Sequence, residues 1–222
     1  MKRIIISLGG SLIVPDEIDV IFLKKFKKLI DDMGGCQFVI YCGGGSIARK
    51  YQKAYSKIVD DDPKSLDWIG ISATHLNAFL LKTIFYDISE KEIITDPTKQ
   101  FKFTNKVAIA GGWKPGWSTD YDAVLLAKNL KVDMVINMTN TDYAYDKDPA
   151  RYDDAKPIDN ITWEKFRELV GKLWKPGLNM PFDPIASKEA EKIGLKVVII
   201  GKDLNNLKNL IEKKKFAGTV IQ

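Results

Sequence analysis

The densest concentration of chemically useful residues is Gly111-Gly112-Trp113-Lys114-Pro115-Gly116-Trp117-Ser118-Thr119-Asp120, where a glycine pair, a lysine, a Pro-Gly turn, two hydroxyls and an acid fall within ten residues. An apolar run, Val107 to Ala110, precedes it, and a helix-like segment, Ala123 to Leu130, follows. A strand that gives way to a glycine-rich loop and then a helix turns bare backbone N–H groups toward an anion. Gly43-Gly44-Gly45-Ser46 is a second loop of this kind, with Arg49 one turn into the next helix and placed to neutralise a phosphate. Two anion cradles on one chain point to two phosphorylated ligands and transfer between them. Neither loop carries the Gly-Lys-Ser/Thr of a Walker A turn or the G-x-G-x-x-G of dinucleotide binders. Ser118 and Thr119 also sit where a helix begins, so an N-cap role is the bland alternative. Asp120 is a favourable first-turn acid, and Asp122 reads as a second acid facing solvent.

The elements that must position these loops alternate. Strand-like runs are expected at Arg3 to Leu8, Gln37 to Cys42, Glu92 to Thr95, Lys106 to Ala110, Met134 to Met138 and Lys196 to Ile200, with Thr219 to Ile221 as an edge strand. Helical spacing covers Asp19 to Met33, Ser46 to Val59, Leu66 to Ile88, Ala123 to Leu130, a segment opening at a Thr162 cap, Ile185 to Ile193, and Leu204 to Lys213. Gly9-Gly10-Ser11 reads as a turn, and Thr139 to Lys156 and Lys175 to Pro184 read as loops. The alternation predicts an α/β fold: a three-layer α/β/α sandwich around a mainly parallel sheet, with ligands at the carboxyl ends of the strands.

Bulk composition agrees with this. The 222 residues are 45% hydrophobic and 28% charged, with a net charge of +5, which favours anionic ligands without the clustered basic face of a nucleic-acid binder. The Lys213-Lys214-Lys215 run reads as a solvated helix end. Cys36 and Cys42 lie in one apolar run, roughly 20 Å apart if extended, so they are expected as free thiols in a reducing compartment. Met1-Lys2-Arg3 and the apolar residues after it imitate a signal peptide, but Gly9-Gly10 interrupt the run and a first buried strand is the better reading. No run reaches the ~20 apolar residues of a membrane span, which predicts a cytoplasmic protein with no membrane partner. The single histidine, His75, falls on a helix and reads as structural.

Motifs in order along the chain resemble the amino acid kinase superfamily and, within it, the archaeal-type uridylate (UMP) kinases. The matching segments are Leu8-Gly9-Gly10-Ser11; Cys42-Gly43-Gly44-Gly45-Ser46-Ile47-Ala48-Arg49-Lys50-Tyr51; Asp67-Trp68-Ile69-Gly70-Ile71; Leu76-Asn77-Ala78; Pro115 to Asp120; Thr139-Asn140-Thr141-Asp142 with Tyr145 and Asp148-Pro149; and Phe182-Asp183-Pro184-Ile185-Ala186 with Lys188. The resemblance implies transfer of the γ-phosphoryl group of ATP to UMP, with Mg²⁺. It assigns UMP to Gly43, Gly44, Gly45, Arg49, Asp67, Gly70, Gly111, Gly112, Ser118 and Thr119. It assigns ATP to Gly9, Gly10, Ser11, Gly44, Thr139, Asn140, Tyr145 and Asp148. Catalysis is assigned to Asp120, Gly9, Gly10, Ser11 and Lys188, and no protein metal site is implied. Residues 1–133 would form the UMP-binding lobe and 134–222 the ATP-binding lobe of one domain. Homo-oligomerisation as a hexamer of three dimers, with no nucleic-acid partner, is implied as well.

The chain departs from the pattern at three places. Ser7 stands where many relatives carry a lysine that neutralises the transferring phosphoryl, so Lys114, Lys188 or Mg²⁺ would supply that charge. Tyr143 replaces the glycine usual after Asp142, and Lys175-Pro176-Gly177-Leu178 replaces a more Ala-Gly-Thr-like approach to Asp183. Two other readings stay open: a kinase of the same superfamily with another small acceptor, such as isopentenyl phosphate or carbamate, and a non-catalytic nucleotide or oxyanion binder on this scaffold.

Overall fold

The computed structural model describes residues 1–60, 62–170 and 181–222. Along the chain these form β1 (Lys2–Leu8), α1 (Gly10–Ile13), α2 (Val20–Asp32), β2 (Cys36–Cys42), α3 (Gly45–Tyr55), α4 (Pro63–Ile84), β3 (Val107–Ala110), α5 (Thr119–Leu130) and β4 (Met134–Met138). Then follow β5 (Ala144–Tyr145), β6 (Pro157–Ile158), β7 (Asn160–Ile161), α6 (Trp163–Val170), α7 (Pro184–Lys192), β8 (Lys196–Ile200), α8 (Leu204–Ile211) and β9 (Thr219–Ile221). A seven-stranded sheet has the order β3-β2-β1-β4-β8-β9-β7, while β5 and β6 make a separate antiparallel ribbon. Every pairing in the large sheet is parallel except β8 with β9. The chain lays β2 and β3 on one side of β1 and then returns to place β4 on the other. Strand order therefore reverses between β1 and β4, the switch point where open α/β sheets receive ligands.

The central strands are buried on both faces, which is why they read as apolar runs rather than alternating ones. Strand pleating sorts the residues. Ile4, Ile6 and Leu8 join a core with α2, α8 and the end of α4, whereas Ile5 joins a second core under α5, α6 and α7. In the same way Phe38 and Ile40 turn to the first core, and Val39 and Tyr41 to the second. Helix α5 packs on α7, and both helices bring small, fully buried residues to the second core, Ala123 and Ala127 from α5 and Ala186 and Ala190 from α7.

Helix starts follow local chemistry. Asp19, Asp62, Asp183 and Asp203 each accept backbone N–H groups at the first turn of α2, α4, α7 and α8, and Pro63 and Pro184 fill first-turn positions that need no donor. At Asp183 one oxygen serves two donors, with Oδ1 2.5 Å from Ile185 N and 3.0 Å from Ala186 N. Both cysteines are free and buried on β2, as their spacing predicts.

Several expectations need correction. Glu92 to Thr95 is not a strand: Ile94 makes one isolated bridge to Ala110, and the chain then turns where Asp96 accepts from Thr98 N–H and Pro97 removes a ladder donor. Thr219 to Ile221 is not at the edge, because β7 pairs outside it. Gly10 begins a one-turn helix rather than a turn, α5 starts at Thr119, and α3 stops at Tyr55. The polar stretch after β4 contains β5, and the two-residue strands β6 and β7 were too short to carry a periodic signal. The expected loop from Lys175, including Lys175-Pro176-Gly177-Leu178, falls outside the described residues up to 180.

Candidate active site

The turns after β1 and β2 are pressed together at the switch point. Gly9 N–H donates to Met138 O at 2.8 Å and Gly43 N–H to Leu8 O at 2.9 Å, so both turns continue the sheet's pairing. A Cβ on Gly10 would be driven into the Gly45 backbone and within 2.7 Å of Gly43 C, and one on Gly43 would enter the Gly10 backbone. Gly45 has φ +65, a conformation side chains resist. Asn77, buried on α4, donates through Nδ2 to Gly43 O at 2.7 Å and holds the triplet from behind.

Above these turns lies a cavity of about 550 Å³, a size suited to a small-molecule ligand. Gly10, Ser11, Gly44 and Gly45 form its floor. Arg49, Asp67 and Gly70 line it from α3 and α4, and Gly112, Trp117, Ser118 and Thr119 from the loop leading into α5 and its first residue. Thr139 and Asn140 close the β4 end. Among the described residues Arg49 is the one cation lining the cavity; its guanidinium donates only a long bond to Pro15 O, 3.4 Å. In the first turns of α1 and α3, Leu12 N–H donates to Gly9 O and Ala48 N–H to Gly44 O, while the N–H groups of Gly10, Ser11 and Gly45 have no carbonyl one turn back and leave donors at the floor. Ser46 is not one of these groups, because its N–H donates to Val14 O and its hydroxyl to Asp16 O.

Gly9, Gly43 and Gly111 lie outside the lining, as backbone supports. Tyr145, Asp148 and Lys188 do not line the cavity either. Asp148 accepts from Ala150 N–H and pairs with Arg151, while Lys188 is exposed on α7. Lys114 stacks over the Trp113 ring, 3.7 Å from its centroid, and Trp117 stacks on Tyr121 at 4.3 Å.

The loop Gly111 to Ser118 is clamped by α4. Thr74 Oγ1 accepts from Gly112 N–H at 2.8 Å, and His75 Nε2 donates to Gly112 O at 2.7 Å, so consecutive helix residues hold both polar groups of one glycine. That bond requires the Nε2–H tautomer of His75. Asp67 Oδ2 accepts from Gly116 N–H at 2.7 Å. Gly111 has no room for a Cβ, which would meet His75 Cδ2 at 2.5 Å. Histidine 75 is thus structural, as expected, with a defined task.

Three carboxylates gather below the cavity. Asp120, half-buried, accepts from the Ser7 hydroxyl at 2.8 Å. Burial pushes its pKa up to about 7; the Ser7 bond opposes this, the Asp183 charge adds to it, and the Asp183 backbone N–H opposes it. Asp183 is raised by burial, with the Ser118 hydroxyl and the α7 N–H groups opposing. Ser118 is also the α5 N-cap, accepting from Tyr121 N–H at 3.2 Å, so the bland capping role applies to it. Asp122 corrects an expectation. It does not face solvent but is 0% exposed, and its Oδ2 accepts from Trp113 N–H at 2.9 Å. Burial lifts its pKa to about 8, opposed by the Trp113 bond and reinforced by Asp120.

Sequence reasoning missed Thr74 and Asp122 as working residues. Thr74 and Asn77 are polar positions three apart on the buried face of α4, a signal that periodicity alone could have flagged. Asp122 gives no such signal, because an acid in a first helical turn is ordinary.

A parallel sheet with its order reversal at β1 and β4, paired glycine turns there and a facing polar loop define a phosphoryl-handling α/β protein. The amino acid kinase family model matches residues 2–201, and the chain belongs to the amino acid kinase family. Among curated proteins it is similar to uridylate kinase from Thermococcus sibiricus, 33% identical with 99% of each chain covered, and to uridylate kinase from Thermoplasma volcanium, 34% identical with 100% of this chain and 98% of the relative covered. Among solved structures it is similar to uridylate kinase from Archaeoglobus fulgidus, with a TM-score of 0.80 at 31% identity over the whole of both chains.

Proposed function

We propose that the protein is a uridylate kinase, transferring the γ-phosphoryl group of ATP to UMP to give UDP and ADP. The observation that carries the reading is the contact between the Gly10 and Gly43–Gly45 turns under one cavity. Two phosphate cradles in contact can bring a donor phosphorus and an acceptor oxygen to bonding distance, and positioning is most of what phosphoryl transfer needs. An acceptor phosphate oxygen of UMP forms the new P–O bond while the bond from the γ-phosphorus to the β–γ bridging oxygen breaks, and ADP keeps that electron pair. A phosphate monoester has a second pKa of about 6, so the nucleophile is ionised near neutrality and no general base is required.

In this reading the wall of Arg49, Asp67 and Gly70 with Gly112, Ser118 and Thr119 receives UMP. Gly10, Ser11, Thr139 and Asn140 receive the ATP side, with residues 1–133 serving the acceptor and 134–222 the donor. Arg49 offsets phosphate charge, and floor N–H groups stabilise the charge spread over the transferring oxygens. Among the described residues no three His, Cys, Asp or Glu side chains form a metal cage. Mg²⁺ would arrive with the triphosphate and would supply positive charge to the transferring group. Tyr145, Asp148 and Lys188 belong to the same reading as outer contacts of ATP and the transferring group. Homo-oligomerisation, as a hexamer of three dimers, is supported by an uncharged stripe on α4 where Trp68, Leu76 and Phe79 are 48, 57 and 59% exposed. No described helix is long and apolar enough to cross a membrane, and a cytoplasmic location belongs to the same reading.

The test is ADP release with ATP and Mg²⁺ against UMP, CMP, isopentenyl phosphate and carbamate. Turnover confined to UMP is expected. Preference for another acceptor would move the protein to a sister kinase, and tight nucleotide binding without ADP release on any acceptor would make it a binder.

A further inference from the structure

Under the Gly111–Ser118 loop the sheet turns polar where its interior is otherwise apolar. On the face toward α5, Ile5, Val39 and Val135 are followed two residues later by Ser7, Tyr41 and Asn137, which lie in register across β2, β1 and β4. Ser7 donates to Asp120, and Asn137 Nδ2 donates to Pro181 O at 2.8 Å. The Tyr41 hydroxyl, on a side chain 0% exposed, has no partner. Facing this strand surface from α5 is Asp122. Later turns of the same helix fill the corresponding positions with Leu126 and Leu130, both buried. Asp122 spends Oδ2 on Trp113 N–H, while Oδ1 is buried without a partner. The charges of Asp122 and Asp96 both reach the Tyr41 phenol, and of these two acids Asp122 is the one with a buried oxygen lacking a partner.

An unpaired buried polar atom costs about 1–3 kcal/mol, so two left in one layer need a common explanation. One ordered water serves both, since it can accept from the phenol and either accept from the protonated Oδ1 of Asp122 or donate to it once the carboxyl ionises. A metal ion does not fit, because no three ligating side chains converge among the described residues.

We propose that Asp122 is a positioning residue for the acceptor side of the site: an internal water joins its Oδ1 to Tyr41 Oη, and the carboxyl so fixed holds the Trp113 peptide and the loop over the cavity. Asp122 acts through Trp113 and touches neither nucleotide. The kinetic consequence rests on the preceding reading that this loop contacts the acceptor; the structural consequence does not.

The experiment compares Asp122→Leu, Asp122→Asn and Tyr41→Phe with the wild type, varying UMP and ATP separately and following hydrogen exchange at the Trp113 amide. Asp122→Leu keeps the branched shape, with methyl groups in place of the carboxyl oxygens, but loses the acceptor; it is expected to raise the KM for UMP about tenfold, leave that for ATP within about twofold, and speed Trp113 exchange about tenfold. Asp122→Asn retains an oxygen for Trp113 N–H and should stay within about threefold of wild type in both readouts. Tyr41→Phe should fall between them. Wild-type exchange and UMP KM in Asp122→Leu would overturn the proposal, as would equal damage in the Asn and Leu variants. If Asp122→Leu does not fold, the Asn and Tyr41→Phe variants decide, and a Tyr41→Phe protein identical to wild type in both readouts overturns it. A wild-type protein that does not phosphorylate UMP sinks the preceding reading alone, and Trp113 exchange then judges this one.

Discussion

The hydroxyl of Ser7, at the carboxyl end of the central strand, donates to Asp120 Oδ1 across 2.8 Å, joining the sheet to the first turn of α5. Strand pleating makes this contact: Ser7 shares the face of Ile5, the one on which α5 packs. The position where the family resemblance leads one to expect lysine is thus a hydrogen-bond donor to an acid here. Under the proposed function, positive charge near the transferring group would fall to Arg49 and to Mg²⁺ arriving with the triphosphate.

Replacing Ser7 by alanine removes a bond that favours the ionised form of Asp120, so the carboxyl should titrate higher than about 7. The prediction is an upward shift of the Asp120 titration, read by NMR of the labelled carboxyl, with the fold retained. No shift would disconnect the two residues. Ser7→Lys should be tolerated and shift the titration the other way, and a large rise in kcat would show that phosphoryl neutralisation limits the native enzyme.

Asp120→Asn should lower kcat roughly a hundredfold while changing Tm little, since an isosteric amide still accepts from Ser7 and the charge is what is lost. Steady-state kinetics beside thermal unfolding separates the two effects. An unchanged kcat would remove Asp120 from the catalytic machinery.

Stability should fall as pH rises from about 4 to about 8. Folded Asp120 and Asp122 titrate near 7 and 8 against about 3.9 for an unfolded carboxyl, so within that window the folded chain binds more protons. Glu90 and Asp96 are lowered, and their contribution is lost only at more acidic pH. Tm measured from pH 5 to 8 should decline, and the decline should be shallower in Asp122→Asn. A flat profile in the wild type contradicts the assignment.

The α4 clamp predicts a split between binding and turnover. Thr74→Val leaves the Gly112 N–H unpaired and should cost about 1–3 kcal/mol of stability. With His75→Ala it should raise the KM for UMP more than that for ATP. Equal effects on both nucleotides would show that the clamp supports the whole site rather than one wall.

Gly10→Ala should abolish activity and destabilise the chain, since its Cβ enters the Gly45 backbone, which cannot yield as a flexible side chain could. Gly34→Ala, where a Cβ meets nothing within 4 Å, is the control and should be neutral. Unfolding curves and ADP release measured on both variants make the comparison.

The amino-acid sequence by itself determined the alternation of strands and helices, because apolar period and turn chemistry are local. Met134–Met138 and Lys196–Ile200 are strands at the predicted boundaries, and α2 lies between its Asp19 cap and the Gly34-Gly35 break. Sequence motifs also picked out both glycine loops, since tight backbone approach needs residues without Cβ wherever the chain later places them. Tertiary structure alone decided what those loops meet. That Gly10 touches Gly45, that His75 and Thr74 grip Gly112, and that Ser7 reaches Asp120 are relations between residues 35 to 113 positions apart. Asp122 shows the limit most clearly. Its type and place in a first helical turn are those of an ordinary solvated acid, and only the packing of α5 on the Tyr41 face of the sheet buries it. Burial is a property of the assembled layers, and no local pattern in the chain encodes it.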